Sequence, residues 1–157
     1  MEIAESGSSQ SRLTGTPLRL VLDTNVWLDW LVFDDPGLAS LRAAAAAGDI
    51  EIIIDAPCEA ELIRVLGYPL QKWTLDATGQ ATSLAQYRSV VRMVDTACAA
   101  ALPRCADPDD QKFLELAAGA QAGCLITKDR ALLVLARRHP PLPFHIVTPA
   151  EFELRQA

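Results

Sequence analysis

Four carboxylates stand where a fold could bring them to a common point: Asp23, Glu61, Asp110 and Asp129. Asp23 directly follows the apolar run Leu20-Val21-Leu22, and Asp129 lies two residues beyond Ile126-Thr127. Asp110 is one helical turn before Phe113 and Leu114, and Glu61 flanks the apolar stripe of Leu62, Val65 and Leu66. Carboxylates crowded into one cleft repel unless they are protonated or bridged by cations. Hard oxygen donors of this kind select Mg²⁺ or Mn²⁺, and such an ion can activate water for displacement at a phosphate. Each acid also has a purely structural explanation. Asp23 can cap a helix, as can Asp129. Asp107-Pro108-Asp109-Asp110 reads as a helix N-terminus, with a cap, a proline and acids that complement the dipole. Glu61 can pair with Arg64 one turn along the same helix face.

The elements that would position these acids follow from hydrophobic periodicity. Short apolar runs at Arg19 to Leu22, Ile50 to Ile54, Cys124 to Thr127 and Phe144 to Val147 read as strands buried on both faces. Between them lie segments with helical spacing. One begins at Val26, Trp27, Trp30 and Leu31, and an alanine-rich one runs from Leu38 to Ala47, closed by Gly48. Pro57 opens the helix of Glu61, which ends at Gly67. The segment 68 to 80 is expected to be a loop or a short helical excursion. A long helix is then expected from Ser83 to Ala101, with Arg88 and Arg92 one turn apart. Further helices are expected through Phe113 to near Gly123, through Leu132 to Leu135, and from Pro149 to Leu154. Strands alternating with helices point to an α/β domain, a central parallel sheet flanked by helices with right-handed crossovers. In such sheets ligands bind beyond the carboxyl ends of the strands, where Asp23 would lie.

Composition narrows the function classes. The 157 residues are 50% hydrophobic and 22% charged, which suits one globular domain rather than a disordered chain. Residues 1 to 17 read as a loose Ser-, Gly- and Thr-rich tail, and 18 to 157 as a single domain. The tail has no apolar signal-peptide core and no run could span a bilayer, so a cytoplasmic protein without a membrane partner is expected. A net charge of −6 argues against a general nucleic-acid binder, but not against an enzyme that meets phosphate through a bound metal. Cys58, Cys98, Cys105 and Cys124 form no CxxC pair and read as reduced core thiols. With His139 and His145 they offer no zinc-ligand spacing. No serine-nucleophile motif, glycine-rich phosphate loop or redox fingerprint is present.

With these residues in view, the sequence resembles PIN-domain ribonucleases, specifically the branch described as toxins of toxin–antitoxin systems. The resemblance runs from Arg19 to Phe152. It rests on Leu-Asp-Thr-Asn-Val at 22–26, Glu61 with its following leucine and Val65-Leu66, Asp-Pro-Asp-Asp-Gln-Lys-Phe-Leu at 107–114, Leu-Ile-Thr-Lys-Asp at 125–129 and Ile-Val-Thr-Pro-Ala-Glu-Phe at 146–152. It implies a PIN-like, Rossmann-type sandwich in which Asp23, Glu61, Asp110 and Asp129 hold Mg²⁺ or Mn²⁺ and the attacking water. Asn25 and Thr127 would orient carboxylates or a substrate phosphate, and Asp107 would be a further acid at the rim. It also implies an RNA substrate, a small antitoxin protein as partner and a homodimer. Arg64, Arg88, Arg92, Lys112 and Lys128 become candidate phosphate contacts, and Trp73 a candidate base-stacking residue. Three departures bear on substrate fit. Lys128 stands where glycine is frequent, Gln111 replaces a third consecutive aspartate, and Trp27 and Trp30 are bulkier than the usual aliphatics.

Rival readings differ at identifiable positions. A phosphatase of the haloacid dehalogenase type needs Asp-x-Asp after the first strand, where this chain has Asn25. A receiver domain could use Asp55 and Lys128, but it lacks the acidic pair near the first strand. A PIN-like domain serving only as a binding module would not need every acid that is present here.

Overall fold

The computed structural model describes residues 17–68, 75–97, 101–138 and 141–156. At its centre is a five-stranded parallel sheet made of β1 (Leu18–Leu22), β2 (Ile50–Ile54), β3 (Val91–Met93), β4 (Cys124–Ile126) and β5 (His145–Val147). The strands lie in the order β3-β2-β1-β4-β5. β1 is therefore central, pairing Leu18 with Ile50 of β2 on one side and Leu20 with Cys124 of β4 on the other. Leu20, Val21 and Leu22 are almost wholly buried, as a strand covered on both faces must be. The chain moves outward from β1 in one direction through β2 and β3, and in the other through β4 and β5. The gap between β1 and β4 is thus the topological switch point of the sheet.

Among the described residues, seven α-helices cover the sheet: α1 (Thr24–Leu31), α2 (Ala39–Ala47), α3 (Ala56–Leu66), α4 (Ala77–Val90), α5 (Gln111–Gly119), α6 (Arg130–Leu133) and α7 (Pro149–Gln156). Aspartates start most of them: the side chains of Asp23, Asp55, Asp76 and Asp129 each accept a backbone N–H from the first turn. α2 closes on Gly48 at φ 79°, a left-handed conformation that only glycine adopts without strain. No helix among the described residues is long and apolar enough to cross a membrane. Trp73, Cys98 and His139, along with most of the expected N-terminal tail, lie outside the described residues.

The long helix expected from Ser83 to Ala101 is not formed. α4 begins earlier, within the segment expected to be irregular, and stops at Val90; Val91–Met93 becomes the fifth strand, pairing Ile52 with Val91 and Ile54 with Met93. The stripe Val90, Val91 and Val94 suits either a helix or a short β-branched strand. The open edge of β2 settles the choice by supplying hydrogen-bond partners. Arg92, expected beside Arg88 on a helix, instead reaches across to Glu51 of β2 at 2.8 Å. Arg19 binds the other oxygen of Glu51 at 2.9 Å, and the contact with Arg92, more than that with Arg19, holds the Glu51 carboxyl below its ordinary range. Two other boundaries also move. α5 ends at Gly119 rather than near Gly123, and α6 gives way to a 3-10 turn at Val134–Arg137.

The bulky residues of α1 are accounted for by packing. Trp27 is 1% exposed, and its ring meets Trp30 at 5.6 Å and the edge of Tyr87 on α4 at 5.1 Å between centroids. Tyr87 in turn donates its hydroxyl to Glu59 on α3 at 2.8 Å. Trp27→Ala should lower unfolding free energy by about 3–5 kcal/mol, through lost burial and an unfilled cavity. Urea unfolding followed by circular dichroism would measure the loss.

Candidate active site

Asp23 is placed by the sheet itself. Its backbone N–H continues the ladder beyond β1 and donates to the carbonyl of Ile126 at the end of β4, at 3.2 Å. Its side chain is 4% exposed. One carboxylate oxygen accepts the Val26 N–H at 2.9 Å, which caps α1, and the other accepts the hydroxyl of Thr127. The capping role of Asp23 therefore holds, and it leaves the second oxygen to Thr127. Thr127 is fully buried, and its hydroxyl oxygen also accepts the backbone N–H of Asp129 at 2.9 Å. A single hydroxyl thus joins the strand-end acid of β1 to the loop that carries the acid after β4. Asp129 then caps α6 through the Ala131 N–H at 2.9 Å.

Asp110 ends the 3-10 turn Pro108–Asp110 and leads into α5. Its Oδ2 is shielded from solvent and accepts no hydrogen bond from the described residues. Burial, then the contact with Asp129 and the negative charges of Asp129, Asp107 and Asp23, push its carboxyl up to about 7. Burial also pushes Asp23 up to about 6, against the hydrogen bonds from Thr127 and Val26, with Asp129 and Asp29 adding repulsion. Asp23, Asp110 and Asp129 are consequently within electrostatic reach of one another, on the β1–β4 side of the sheet's carboxyl edge.

Glu61 joins from α3 by a different route. One of its oxygens accepts the hydroxyl of Thr24, the residue after Asp23, and the other pairs with the ammonium of Lys112 at 2.5 Å. The pairing of Glu61 with Arg64 expected from helical spacing is thus replaced by a contact with α5. Arg64 is exposed, as are Asn25 and Arg88. Asp107 caps the 3-10 turn by accepting the Asp109 N–H at 3.0 Å. Lys128 is paired with Asp29 of α1 and lies 3.8 Å from Asp35. Lys112, Lys128 and Arg92, all candidate phosphate contacts, are therefore engaged with carboxylates of this chain.

Two residues take parts that the sequence did not assign them. Thr24 was given no role of its own, although a hydroxyl next to a strand-end aspartate is a signal in its own right. The position of Lys112 in the first turn of a helix, where the dipole disfavours a cation, also marks a residue held by something else. Cys58, Cys105 and Cys124 are buried free thiols, pushed up by burial, as expected of core cysteines.

The donor set consists of carboxylate and hydroxyl oxygens, and the shielded Asp110 Oδ2 has no hydrogen-bond partner among the described residues, so in kind the edge suits a hard divalent cation. In spacing, no group of three or more His, Cys, Asp or Glu among the described residues stands ready to hold an ion. The nearest obstacle is Glu61, whose oxygens are filled by Thr24 and Lys112. A cavity of about 500 Å³ opens at the ends of β2 and β3, lined in part by Asp55, Asp95 and Glu115, and none of the four acids lines it.

Burial of Asp23 makes a signed prediction for protein held in chelator. Its folded value of about 6 lies above the ordinary 3.8, so the folded state binds more protons between them. The associated stability is fully present below pH ~4 and is lost as pH rises through ~6, amounting to about 3 kcal/mol at most. Urea unfolding of the wild type relative to Asp23→Asn should show this decline between pH 4.5 and 7. A difference that does not change with pH would contradict it.

Comparison with known proteins agrees with this architecture. Residues 19–131 match the family model described as PIN domain. No curated protein matches the sequence. Among solved structures, the crystal structure of VapBC2 from Rickettsia felis bound to a DNA fragment from their promoter has a similar chain fold. Its TM-score is 0.58 at 15% sequence identity, covering 83% of this chain and 98% of that one.

Proposed function

The chain belongs to the PIN-domain family, and on that premise we propose that it is a divalent-metal-dependent endoribonuclease, acting as the toxin of a toxin–antitoxin pair. The observation that carries the reading is the meeting of Asp23, Asp110 and Asp129 at the switch point of the sheet. There the buried Thr127 hydroxyl holds the Asp23 carboxylate and the Asp129 backbone, and Asp110 keeps a shielded oxygen with no hydrogen-bond partner among the described residues. Asp23, Glu61, Asp110 and Asp129 are the residues that would hold Mg²⁺ or Mn²⁺. When bound, such an ion supplies an activated water and neutralises charge on the scissile phosphodiester.

The chain's own residues do the rest. Thr127 fixes the rotamer of the Asp23 carboxylate and, through the Asp129 N–H, the backbone of the loop that carries Asp129. Thr24 does the same for Glu61 from α1. The net charge of −6 means that the RNA backbone must be met locally. The exposed Arg64 is the proposed contact, with the exposed Asn25 in the first turn of α1. A small antitoxin protein and a homodimeric assembly belong to the same proposal, on the strength of the family resemblance.

One observation favours a second reading. Glu61 is filled by Lys112, as it would be in a PIN-like domain that keeps the fold as a binding module without the reaction. A cleavage assay on total RNA separates the two. The wild type should cleave with Mn²⁺ or Mg²⁺ and fall to background with chelator. Asp23→Asn and Asp110→Asn should each lose at least about a hundredfold in rate while keeping the wild-type circular dichroism spectrum. Cleavage that survives chelator or both substitutions would sink the nuclease assignment.

A further inference from the structure

Among the four acids, Glu61 is distinguished by a partner that carries a full positive charge. The Lys112 ammonium lies 2.5 Å from its Oε1, and both side chains are largely covered, at 20% and 16% exposure. Lys112 does not rest there by default. It sits in the first turn of α5, where the helix dipole opposes a cation. Three contacts hold it: Glu61, the backbone carbonyl of Asp109, and the face of Phe113 at 5.0 Å. Two residues before it is Asp110, whose shielded Oδ2 has no hydrogen-bond partner among the described residues.

We propose that Lys112 is a built-in counter-ion that occupies Glu61 and must be displaced before Glu61 can take part in binding a divalent cation. This rests on the metal-dependent reading above and deepens it by naming what regulates the site. The ammonium and a dication compete for the same oxygen, so the affinity of the acidic edge is set partly by how firmly Lys112 is held. Without metal, the pair ties α3 to α5 and spares Glu61 an uncompensated buried charge. A competing role, in which Lys112 binds substrate phosphate, makes the opposite demand on metal binding: removing Lys112 would weaken RNA affinity and leave the metal untouched.

Calorimetric titration of Mn²⁺ into the intact protein distinguishes these roles, with melting temperature as a second readout. Lys112→Met retains the stem over Phe113 and removes the charge. It should bind Mn²⁺ about tenfold more tightly than the wild type. Its metal-free melting temperature should fall, and Mn²⁺ should raise it by more than in the wild type. In a Glu61→Gln background the same substitution should give no gain. Should Lys112→Met be too unstable to purify, Lys112→Gln, which also lacks the charge, should show the same gain. Equal or weaker Mn²⁺ binding on loss of Lys112, or an equal gain without Glu61, overturns the counter-ion role. If Mn²⁺ binds the wild type and is lost in Asp110→Asn, yet loss of Lys112 brings no gain, only this proposal fails. If neither the wild type nor the Lys112 variants bind Mn²⁺, the metal-dependent reading fails with it.

Discussion

The hydroxyl of Thr127 is the constraint on which the functional edge of this protein depends. It has one proton to donate and lone pairs to accept, and both capacities are used: the proton goes to Asp23 and a lone pair receives the Asp129 N–H. Because Thr127 is fully buried, no water can take over either role. The arrangement is possible only because β1 and β4 are neighbours in parallel register, Leu22 beside Ile126, which brings their last residues together. That adjacency is set by the sheet order, in which β1 is central and buried on both faces. The chemistry of the edge is thus held by the same packing that holds the core.

The acids near this edge are neutralised in three physically different ways. Asp23 and Asp110 are pushed towards protonation, since burial and mutual repulsion disfavour their charged forms. Glu61 and Asp29 each have a lysine, Lys112 and Lys128 respectively. Asp129 spends one oxygen on a helix N-terminus. A proton, an ammonium and a helix N-terminus each bring less positive charge than a dication. On the proposed metal-dependent reading, a dication at this edge would compete with all three, and binding would depend on pH through Asp23 and Asp110.

Much of this was readable along the chain, and the exceptions have a common cause. β1, β2, β4 and β5 were legible because continuous apolar runs bounded by Asp, Gly or Pro have few alternatives. The acids were legible because they stand just beyond strand ends or at helix starts. β3 was not: Val90 to Val94 fits helix and strand alike, and only the unfilled edge of β2 and the charge of Glu51 made it a strand. The lysines were misjudged for a related reason. Lys112 and Lys128 read as free cations, since their acidic partners lie 51 and 99 positions earlier in sequence, at Glu61 and Asp29.

Residue types and local spacing were sufficient for the α/β class, for the parallel sheet, and for Asp23, Asp110 and Asp129 as acids at its carboxyl edge. Those inferences rest on short-range physics, namely side-chain periodicity and capping, which act within a few residues. Folding in three dimensions settled which cation answers which carboxylate, which hydroxyl joins two strand ends, and where a valine-rich segment pairs. Electrostatic and hydrogen-bonding partners are selected by distance in space, and that distance exists only after the sheet has closed around β1.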